Sequence, residues 1–578
     1  MAAALVCAWI GGGWVESAAA EAVTIMAIQG AGHRSPLQGR WVHTEGVVTV
    51  CTRRGHRCWI QDPDGDGDTA TSDGLALELK RSRTPRLRPG DRVRVHGRVR
   101  ERRFGAALSH TSLDPVRSIQ IQARNQPLPP PRPLRRLPDE SIPAAIAFWE
   151  PLEGMRVRVA EARVVGPTSR HGEFVVVAAE NARPGSGFHA AHGYLLVRPL
   201  AAERVDYNPE RILVGATTRK RPLQVRVGDR VRNLTGVVDY SYGNYKIQPQ
   251  ALQPRRAAMT PPPALSPTAG LLAVATFNLE NLFDDRDDPG VDDPVPTAAD
   301  LDIQLRKLAQ AVERGLGLPA IVAVQEVENT AVLQRLAERI NASAGTHYRA
   351  ASFDSSDGRG IEVGVLWDRG RVSLLEAEPL AGAAVARAFG RRGAGGGREP
   401  LKAIFRVGAQ TLTLLVVHFK SKGGDEPLFG RRQPPRRVTE VQRRRQARAV
   451  RDEVDRLLQT DPDALVAVAG DVNDFPFAEP GEGAEHALAI LSAPAGGAPL
   501  HSVLEAVPEA QRFTYVYQGN AQVLDYILVS PALRRALVSA RALPINAGFP
   551  DVLGDDAATY LRSSDHDPLA AEFRLSGP

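Results

Sequence analysis

Short polar motifs recur in the second half of the chain, and each one ends an apolar, β-rich run of residues. The runs are nearly continuous in apolar character, which is typical of strands buried on both faces. Polar groups at the ends of such strands converge on one rim, so we expect the motifs to form a single site. The six motifs are Phe277–Asn281, Val324–Asn329, Val416–Lys420, Gly470–Asn473, Leu524–Ile527 and Ser564–Pro568.

The predicted rim combines hard oxygen ligands with two imidazoles. Carboxylate and amide oxygens suit Mg²⁺ or Ca²⁺, and imidazoles handle protons or stabilise charge. The residues concerned are Asn278, Glu326, His418, Asp471, Asn473, Asp525, Asp565 and His566.

In their order, these motifs resemble those of the endonuclease/exonuclease/phosphatase superfamily, whose fold is that of deoxyribonuclease I. One such motif alone is a weak signal, but six in the family's order, each after a strand, are a strong one. The resemblance runs from about Leu271 to the C-terminus. It implies an α/β fold, a four-layered α/β/β/α sandwich, over residues 271–578.

Three helices are predicted between these strands. Apolar residues at helical spacing indicate helices at 300–316 and 330–340. Thr439, with Gln442 three residues later, resembles a capping box that starts a helix running to about Leu458.

The resemblance assigns metal ligation to three residues at strand ends. Glu326 is the expected principal ligand of Mg²⁺ or Mn²⁺, and Asn278 and Asp565 would complete the site with water and substrate phosphate. A cation that neutralises a phosphodiester stabilises the transition state of its hydrolysis. The alternative for Glu326 is a solvated carboxylate at a strand end. Glu328, in the same motif, is assigned to a helix start.

The other motif residues are expected to act on water and phosphate. By resemblance, Asp471 orients or deprotonates the attacking water, and Asn473 holds a phosphate oxygen. Asp525 would orient His566, which acts either as a base or as a cation that stabilises the phosphorane. His418 would bind phosphate or protonate the leaving oxygen.

Basic residues near the motifs are candidates for binding substrate phosphate. They are Arg359, Lys420, Lys422 and Arg444. Arg444 belongs to an arginine-rich stretch at 431–451 that lies partly on the predicted helix, and a solvated basic helix face is the competing interpretation.

Two proline-rich segments, 127–143 and 254–270, are predicted linkers in a chain whose 578 residues exceed one ordinary core. Residues 24–126 resemble the OB-fold domains that accompany secreted bacterial nucleases. Residues 144–253 are predicted to form a second, more divergent β-barrel, because the Gly-Asp turn and alternating strand at Gly90 recur at Gly228. Such barrels bind single-stranded nucleic acid or oligosaccharide, or they only support the catalytic part.

Residues 1–20 are apolar and end in small residues, which predicts a signal peptide and a secreted or periplasmic protein. The segment lacks a basic start, so an ordinary apolar N-terminus is the alternative. Cys51 and Cys58 flank a predicted turn, where they form a disulfide or remain two free thiols.

An aspartate-rich segment in the first barrel resembles a calcium loop. Carboxylates stand at positions 1, 3, 5 and 12 and glycine at position 6, although the last ligand is Asp and strands replace the usual helices. The alternative is an acidic hairpin loop. The candidate Ca²⁺ ligands are Asp62, Asp64, Asp66, Asp68 and Asp73.

The composition of the chain favours an anionic substrate. The net charge is +6, and no internal run approaches the roughly 20 apolar residues of a membrane span. We therefore expect an exported, monomeric, metal-dependent nuclease that hydrolyses DNA, with RNA as a further candidate substrate. A phosphodiesterase or phosphatase acting on phospholipids or inositol phosphates is the enzymatic alternative. A binding protein with a degenerate nuclease domain is the alternative from another class.

Overall fold

The computed structural model describes residues 21–80, 85–189, 192–201, 204–258, 268–289, 291, 293–390, 397–480, 485–492 and 497–575. The chain is a mixed α/β protein. The predicted signal peptide at 1–20 and residues 259–267 of the second proline-rich segment lie outside this set. None of the described helices is long and apolar enough to span a membrane.

The first β unit is a closed barrel of five strands. The strand Arg92–Arg102 buries its valines and exposes most of its arginines, so one face fills the interior. It pairs with both Trp41–Cys51 and His110–Ala123, which closes the ring. A short helix, Ile25–Gln29, packs into the same core. In barrel order the strands are Trp41–Cys51, Arg57–Gln61, Gly74–Glu78, His110–Ala123 and Arg92–Arg102.

A disulfide joins Cys51 to Cys58 in this barrel. The two residues are register partners in the hairpin that connects the first two barrel strands, and their Cα atoms are 4.0 Å apart. The bridge therefore closes the turn at 52–57.

The second β unit has five strands whose pairing also returns to its first strand. The strand Arg230–Ser241 pairs with both Arg156–Gly166 and Asn244–Arg255. The helix Ile142–Trp149 begins at Ser141, whose hydroxyl accepts from the backbone N–H of Ala144, and contributes to the core of this unit. In order the strands are Arg156–Gly166, Phe174–Ala178, Ile212–Val214, Asn244–Arg255 and Arg230–Ser241. Shorter strands in this region are Arg132–Pro133, Phe188–His189, Tyr194–Leu195, Arg198–Ala201 and Arg204–Asp206.

The repeated Gly-Asp turn has the same structure in both units. Gly90 and Gly228 have φ angles of 87° and 90°, in the region that favours glycine. The following aspartates, Asp91 and Asp229, each accept a hydrogen bond from the backbone N–H three residues earlier. The repeat in the sequence is therefore a repeat in the fold.

Two six-stranded sheets in the C-terminal half share one hydrophobic core. The first contains, in order, Tyr348–Ser352, Glu362–Asp368, Ile321–Val327, Leu272–Leu282, Leu569–Phe573 and Leu537–Ala542. The second contains Ser373–Pro379, Leu401–Val407, Gln410–His418, Leu465–Asp471, Asp525–Val529 and His501–Ser502. A separate hairpin is formed by Tyr515–Tyr517 and Asn520–Gln522.

Helices cover the outer faces of both sheets. Ala298–Gln310, which continues as a π-helical turn to Gly315, and Thr330–Ala344 share a core with the first sheet. Glu440–Thr460 packs on the second sheet. All three predicted helices are present. The remaining α-helices of the described residues are Ala383–Phe389, Ala487–Ser492 and Pro531–Ala536, and short 3-10 helices lie at Glu150–Leu152, Val503–Ala506, Glu509–Gln511 and Asp551–Asp555.

The capping box predicted at Thr439 is wrong. Thr439 has helical backbone angles, and its side chain accepts no hydrogen bond from the first turn of the helix. Its hydroxyl instead donates to Asp425 and accepts from Arg443. Asp425 from a preceding loop and Arg443 from the helix itself have replaced the local cap.

The three parts of the chain pack against one another. The hydroxyl of Tyr240, in the second β unit, accepts a 2.9 Å hydrogen bond from the backbone N–H of Leu108 in the first. The same hydroxyl donates a 2.7 Å bond to the carbonyl oxygen of Phe429 in the C-terminal half. Phe429 also belongs to the hydrophobic core of the second unit. One buried hydroxyl thus connects all three parts.

Candidate active site

Strand pairing brings three predicted residues into one row. The strands Gln410–His418 and Leu465–Asp471 are parallel neighbours, and their register pairs His418 with Asp471. Asp471 is in turn the antiparallel partner of Asp525. Residues that are distant in the sequence are therefore adjacent at one edge of the second sheet.

His566 reaches this row from the first sheet, just before the strand Leu569–Phe573. Its Nδ1 donates a 2.7 Å hydrogen bond to Oδ2 of Asp525, and its Nε2 lies 4.0 Å from Oδ2 of Asp471. Burial alone would lower the pKa of His566, but the carboxylates of Asp525 and Asp565 outweigh it and hold the pKa well above its ordinary value. These carboxylates therefore favour the imidazolium form of His566.

Asp471 lies buried on a tight turn. Its Oδ1 accepts a 2.8 Å hydrogen bond from the backbone N–H of Asn473, and burial together with the neighbouring Asp525 raises the pKa of Asp471 to about 8. The side chain of Asn473 donates to the carbonyl oxygen of Phe419. A Cβ at Gly470 would lie 2.0 Å from the carbonyl oxygen of Val417, so only glycine allows the strands to approach here.

His418 is the second imidazole, and its surroundings favour the neutral form. Its Nε2 lies 3.7 Å from Oε1 of Glu326 and 3.6 Å from Oδ2 of Asp471, too long for hydrogen bonds. Burial, reinforced by the positive charges of Arg398 and His566, lowers the pKa of His418 well below its ordinary value. Its Nδ1 is buried and has no hydrogen-bond partner among the described residues.

Glu326, Asn278 and Asp565 provide oxygen atoms beside this row. Glu326 and Asn278 lie on neighbouring parallel strands, and Asp565 directly precedes His566. Burial and repulsion from Glu326 raise the pKa of Asp565, although His566 opposes the shift. Nδ2 of Asn278 is buried without a partner among the described residues. Two repelling carboxylates and the amide oxygen of Asn278, which also accepts a hydrogen bond from the backbone N–H of Glu280, are the hard oxygen donors that suit a divalent cation.

A second set of candidate metal ligands lies beside the first. Among the described residues, the ligand atoms of Asp471, Asp525 and His566 lie within 4.8 Å of one another, so this buried group could hold a metal ion. Asn278, Glu326 and Asp565 are the expected ligands, and Glu326 and Asp565 line the same pocket as Asp471 and His566. Both donor sets therefore belong to one site.

Strained backbone is concentrated at this rim. Glu280, Asn281, Glu326 and Asn473 have φ angles of 52°, 56°, 58° and 54°. Non-glycine residues rarely adopt these left-handed angles, and such strain persists where the surrounding fold enforces it, often at functional sites. The backbone N–H of Asn281 donates to Oε2 of Glu326, which holds that carboxylate in place.

A pocket of about 640 Å³ opens onto the rim. Three arginines, Arg359, Arg398 and Arg437, are among the residues that line it, and Arg437 pairs with Glu479. Arg359 is exposed. Arg398 is buried, donates to the carbonyl oxygen of Phe419 and lies 3.6 Å from Asp357. Sequence reasoning missed Arg398 because it stands alone after a glycine-rich run. It also missed Tyr515, whose ring centroid lies 4.6 Å from that of His566.

The other three residues predicted to bind substrate phosphate contact groups of the protein itself. Lys422 lines the pocket, but its ammonium lies 2.6 Å from Glu479 and 3.4 Å from Asp474. The Lys420 ammonium donates to the carbonyl oxygen of Gly423. Arg444 pairs with Glu440 on its own helix and is not among the residues that line the pocket. Of the basic residues discussed, Arg398 is therefore the best placed to bind a substrate phosphate.

The aspartates of the predicted calcium loop lie between the strands Arg57–Gln61 and Gly74–Glu78. Asp62 accepts hydrogen bonds from the backbone N–H groups of Asp64 and Gly65, and Asp66 and Asp68 accept similar bonds. These are the contacts of successive Asx turns. Burial and the neighbouring aspartates raise the pKa of Asp73. Calcium binding stays a prediction.

Comparison with known proteins gives two family matches. Residues 138–257 match a domain of unknown function, DUF8508, and residues 273–547 match the Endonuclease/Exonuclease/phosphatase family. No curated protein shows significant similarity to the chain.

Solved structures align with the C-terminal part at low sequence identity. A humanized D. rerio TDP2 carrying 14 mutations is 19% identical, with 53% of this chain and 100% of that chain covered and a TM-score of 0.35. An endonuclease/exonuclease/phosphatase from Bacteroides vulgatus is 16% identical, with coverage of 53% and 99% and a TM-score of 0.35. The human Nocturnin catalytic domain is 16% identical, with coverage of 54% and 96% and a TM-score of 0.36. With the family match at 273–547, the C-terminal half of this chain belongs to the endonuclease/exonuclease/phosphatase family.

Proposed function

We propose that the protein is a metal-dependent phosphodiesterase that hydrolyses nucleic acid, with DNA as the first candidate and RNA as the second. The observation that carries this proposal is the cluster of Asp525, His566, Asp471 and the neutral His418 at the rim of a pocket whose lining includes Arg359 and Arg398. Such a site pairs proton acceptors with cations that can bind an anionic phosphodiester.

The chain's own residues would divide the reaction among them. When it is ionised, Asp471 orients a water and accepts its proton as the water oxygen forms a bond to phosphorus. Arg398 and Arg359 bind non-bridging oxygens of the phosphate, and the His566 imidazolium stabilises their developing charge. As the ester P–O bond breaks, the leaving oxygen takes up a proton from solvent water, which gives a 5′-phosphate and a 3′-hydroxyl.

Metal dependence is part of the proposal. Glu326, Asn278 and Asp565 would hold the cation, Mg²⁺ or Mn²⁺, because they supply hard oxygens beside the pocket. When bound, a divalent cation supplies Lewis-acid stabilisation of the phosphate oxygens.

The architecture supports a finer assignment. Two sheets that share a core and carry helices on their outer faces are consistent with the four-layered sandwich of deoxyribonuclease I. The two closed β units are proposed to be OB-like barrels, separated from each other and from the sandwich by the segments 127–143 and 254–270. These boundaries remain proposals.

We propose that the protein is exported. One feature of the segment before the first β unit and one feature of that unit support this. Residues 1–20 have the composition of a signal peptide, and the disulfide between Cys51 and Cys58 suits an oxidising compartment. N-terminal sequencing of the protein recovered from its native host would test this. A mature chain that retains residues 1–20 would contradict export.

The decisive experiment compares substrates under metal control. The purified chain would be incubated with single-stranded and double-stranded DNA, RNA, sphingomyelin and inositol polyphosphates, each with Mg²⁺, Mn²⁺, Ca²⁺ or EDTA. We expect nucleic acid to be cleaved and EDTA to abolish cleavage. Hydrolysis of the lipid or inositol substrate alone would support the alternative enzyme. Binding of DNA with no hydrolysis under any metal would support a degenerate domain.

A further inference from the structure

One wall of the active-site pocket comes from the N-terminal half of the chain. Phe104 of the first β unit and Tyr207, Tyr242 and Asn244 of the second line the same pocket as Glu326 and His566. The catalytic rim is therefore covered on one side by both β units.

Direct contacts attach this wall to the C-terminal half. The hydroxyl of Tyr207 donates a 2.5 Å hydrogen bond to Glu479, which also pairs with Lys422 and Arg437. A Cβ at Gly243 would lie 2.4 Å from Cβ of Pro427, so the hairpin tip packs closely against the C-terminal half. The wall is part of the folded site.

The wall presents aromatic rings to the solvent in the pocket. Among the described residues, the exposed aromatic side chains are Phe104, Tyr242 and Tyr517, which are 66%, 81% and 51% exposed, and all three line this pocket. The rings of Phe104 and Tyr242 are nearly parallel, with centroids 6.2 Å apart. Exposed aromatic rings gathered at one place indicate a surface for binding rather than for folding.

Tyr242 occupies a position that tyrosine rarely takes. It is the first residue of a two-residue hairpin turn, with φ of 51°, and Gly243 follows with φ of 74°. Turns of this kind favour Asn-Gly, and a bulky residue with positive φ is a genuine outlier. The left-handed backbone of this tyrosine costs stability, so an exposed ring at this position points to a ligand.

A smaller cavity lined by basic residues borders the active-site pocket. Ala107 lines both the active-site pocket and a neighbouring cavity of about 290 Å³, which is also lined by Arg34, Arg103 and Arg431. These three arginines are exposed, and none pairs with a carboxylate among the described residues. A basic path beside stacked aromatic rings is the combination that binds single-stranded nucleic acid.

We propose that the pocket takes an unpaired strand of nucleic acid, whose bases stack on Phe104, Tyr242 and Tyr517 while one phosphodiester reaches the rim. The inference rests on the proposed phosphodiesterase function and names its substrate class. The pocket volume of about 640 Å³ is in the range of small-ligand sites, so the pocket has room for one or two nucleotides but not for a duplex within it. The phosphates beyond the pocket follow the three arginines.

The test removes two of the three rings, one at a time, by substitutions chosen to keep the fold. Tyr242→Asn keeps a residue that favours the hairpin turn, and Phe104→Ala changes an exposed side chain. Leu375→Ala, another exposed apolar residue on the strand Ser373–Pro379, is the control. KM and kcat would be measured on a single-stranded DNA oligomer, the same strand in a duplex, an equally long abasic oligomer and the corresponding RNA.

The wild-type protein is expected to have a lower KM for the base-bearing single strand than for the abasic oligomer or the duplex. Either ring variant should reduce the preference for bases about fivefold or more, mainly through KM, and Leu375→Ala should keep it. The RNA arm shows whether the strand is DNA or RNA. An unchanged preference in both ring variants, or a duplex cleaved as well as a single strand, would overturn the inference.

Failure of the underlying function would look different. In that case the wild-type protein would cleave no nucleic-acid phosphodiester, abasic oligomer included. Fluorescence anisotropy of labelled single strands in EDTA then tests the stacking surface without hydrolysis. Binding that both ring variants weaken supports the inference, and equal binding by the wild type and both variants overturns it.

Discussion

Nδ1 of His566 lies 2.7 Å from Oδ2 of Asp525, and this contact joins the two C-terminal sheets at the catalytic rim. It sets the orientation of the imidazole so that Nε2 faces Asp471 at 4.0 Å. Since Asp471 and Asp525 are register partners, the positions of all three groups follow from strand pairing. The rim is organised before any substrate binds.

Asp525→Asn should reduce kcat/KM about 100-fold, because the amide cannot stabilise the imidazolium of His566. The pKa of His566 should fall toward its ordinary value, since Asp525 is the largest influence that raises it. Hydrolysis rates and NMR titration of the His566 ring would measure the two effects. Asp463→Asn, at an exposed carboxylate, serves as the control. An unchanged His566 pKa in the Asp525 variant would contradict the assignment.

Glu326→Gln and Glu328→Gln separate metal binding from local structure. Glu326 lines the pocket, whereas Glu328 accepts a 2.5 Å hydrogen bond from the backbone N–H of Asp284. Calorimetric titration with Mn²⁺ should show affinity lowered at least about tenfold in Glu326→Gln and nearly retained in Glu328→Gln. The reverse order would place the metal elsewhere.

Arg398→Lys should lower kcat/KM about 100-fold, because a lysine lacks the forked donors of the buried guanidinium. Arg444→Lys should change it less than about twofold, since Arg444 lies outside the pocket lining. Steady-state kinetics of both variants would test this prediction. Thermal unfolding would show whether Arg398→Lys, beside Asp357, remains folded. A larger loss in Arg444→Lys would restore the sequence-based assignment.

Glu210 should make the protein less stable as pH rises. Burial raises the pKa of Glu210 from 4.5 to about 8, so between these values the folded state binds more protons than the unfolded state. The free energy of unfolding should therefore fall by about 1.4 kcal/mol per pH unit across that window. Denaturant unfolding at pH 5 and pH 8 should show a smaller difference in Glu210→Gln. The exposed control Glu338→Gln should behave like the wild type.

Tyr240→Phe removes the hydroxyl that bridges Leu108 and Phe429. A buried N–H and carbonyl lose their shared partner, which should cost about 1–3 kcal/mol. Differential scanning calorimetry should record a lower transition temperature, whereas Tyr242→Phe, at an exposed ring, should leave it unchanged. A transition equal to that of the wild type would mean that the bridge does not couple the three parts.

The sequence predicted the α/β fold, the three helices and the strand-end motifs, because each depends on a local pattern. A short apolar run with alternating valines, such as 464–469, favours a buried strand, and the polar residues that follow it are then expected at a sheet edge. The site row at His418, Asp471 and Asp525 follows from that logic.

Long-range relationships were not predictable in this way. Nothing near Arg398 in the sequence indicates that burial beside Asp357 directs it into the pocket. Lys422 follows the His418 motif closely, yet its ammonium forms an ion pair with Glu479, which lies far along the chain. The placement of Tyr242 opposite the rim depends on packing between two separate folding units.

The shared pocket wall has a practical consequence for anyone who studies a fragment. Boundaries drawn at the proline-rich segments would isolate residues 271–578 with every catalytic candidate intact, but without Phe104, Tyr207 and Tyr242. Such a fragment would have an open cleft where the whole protein has a walled pocket. Its substrate preference would therefore be a poor guide to that of the whole protein, even if its chemistry were unimpaired.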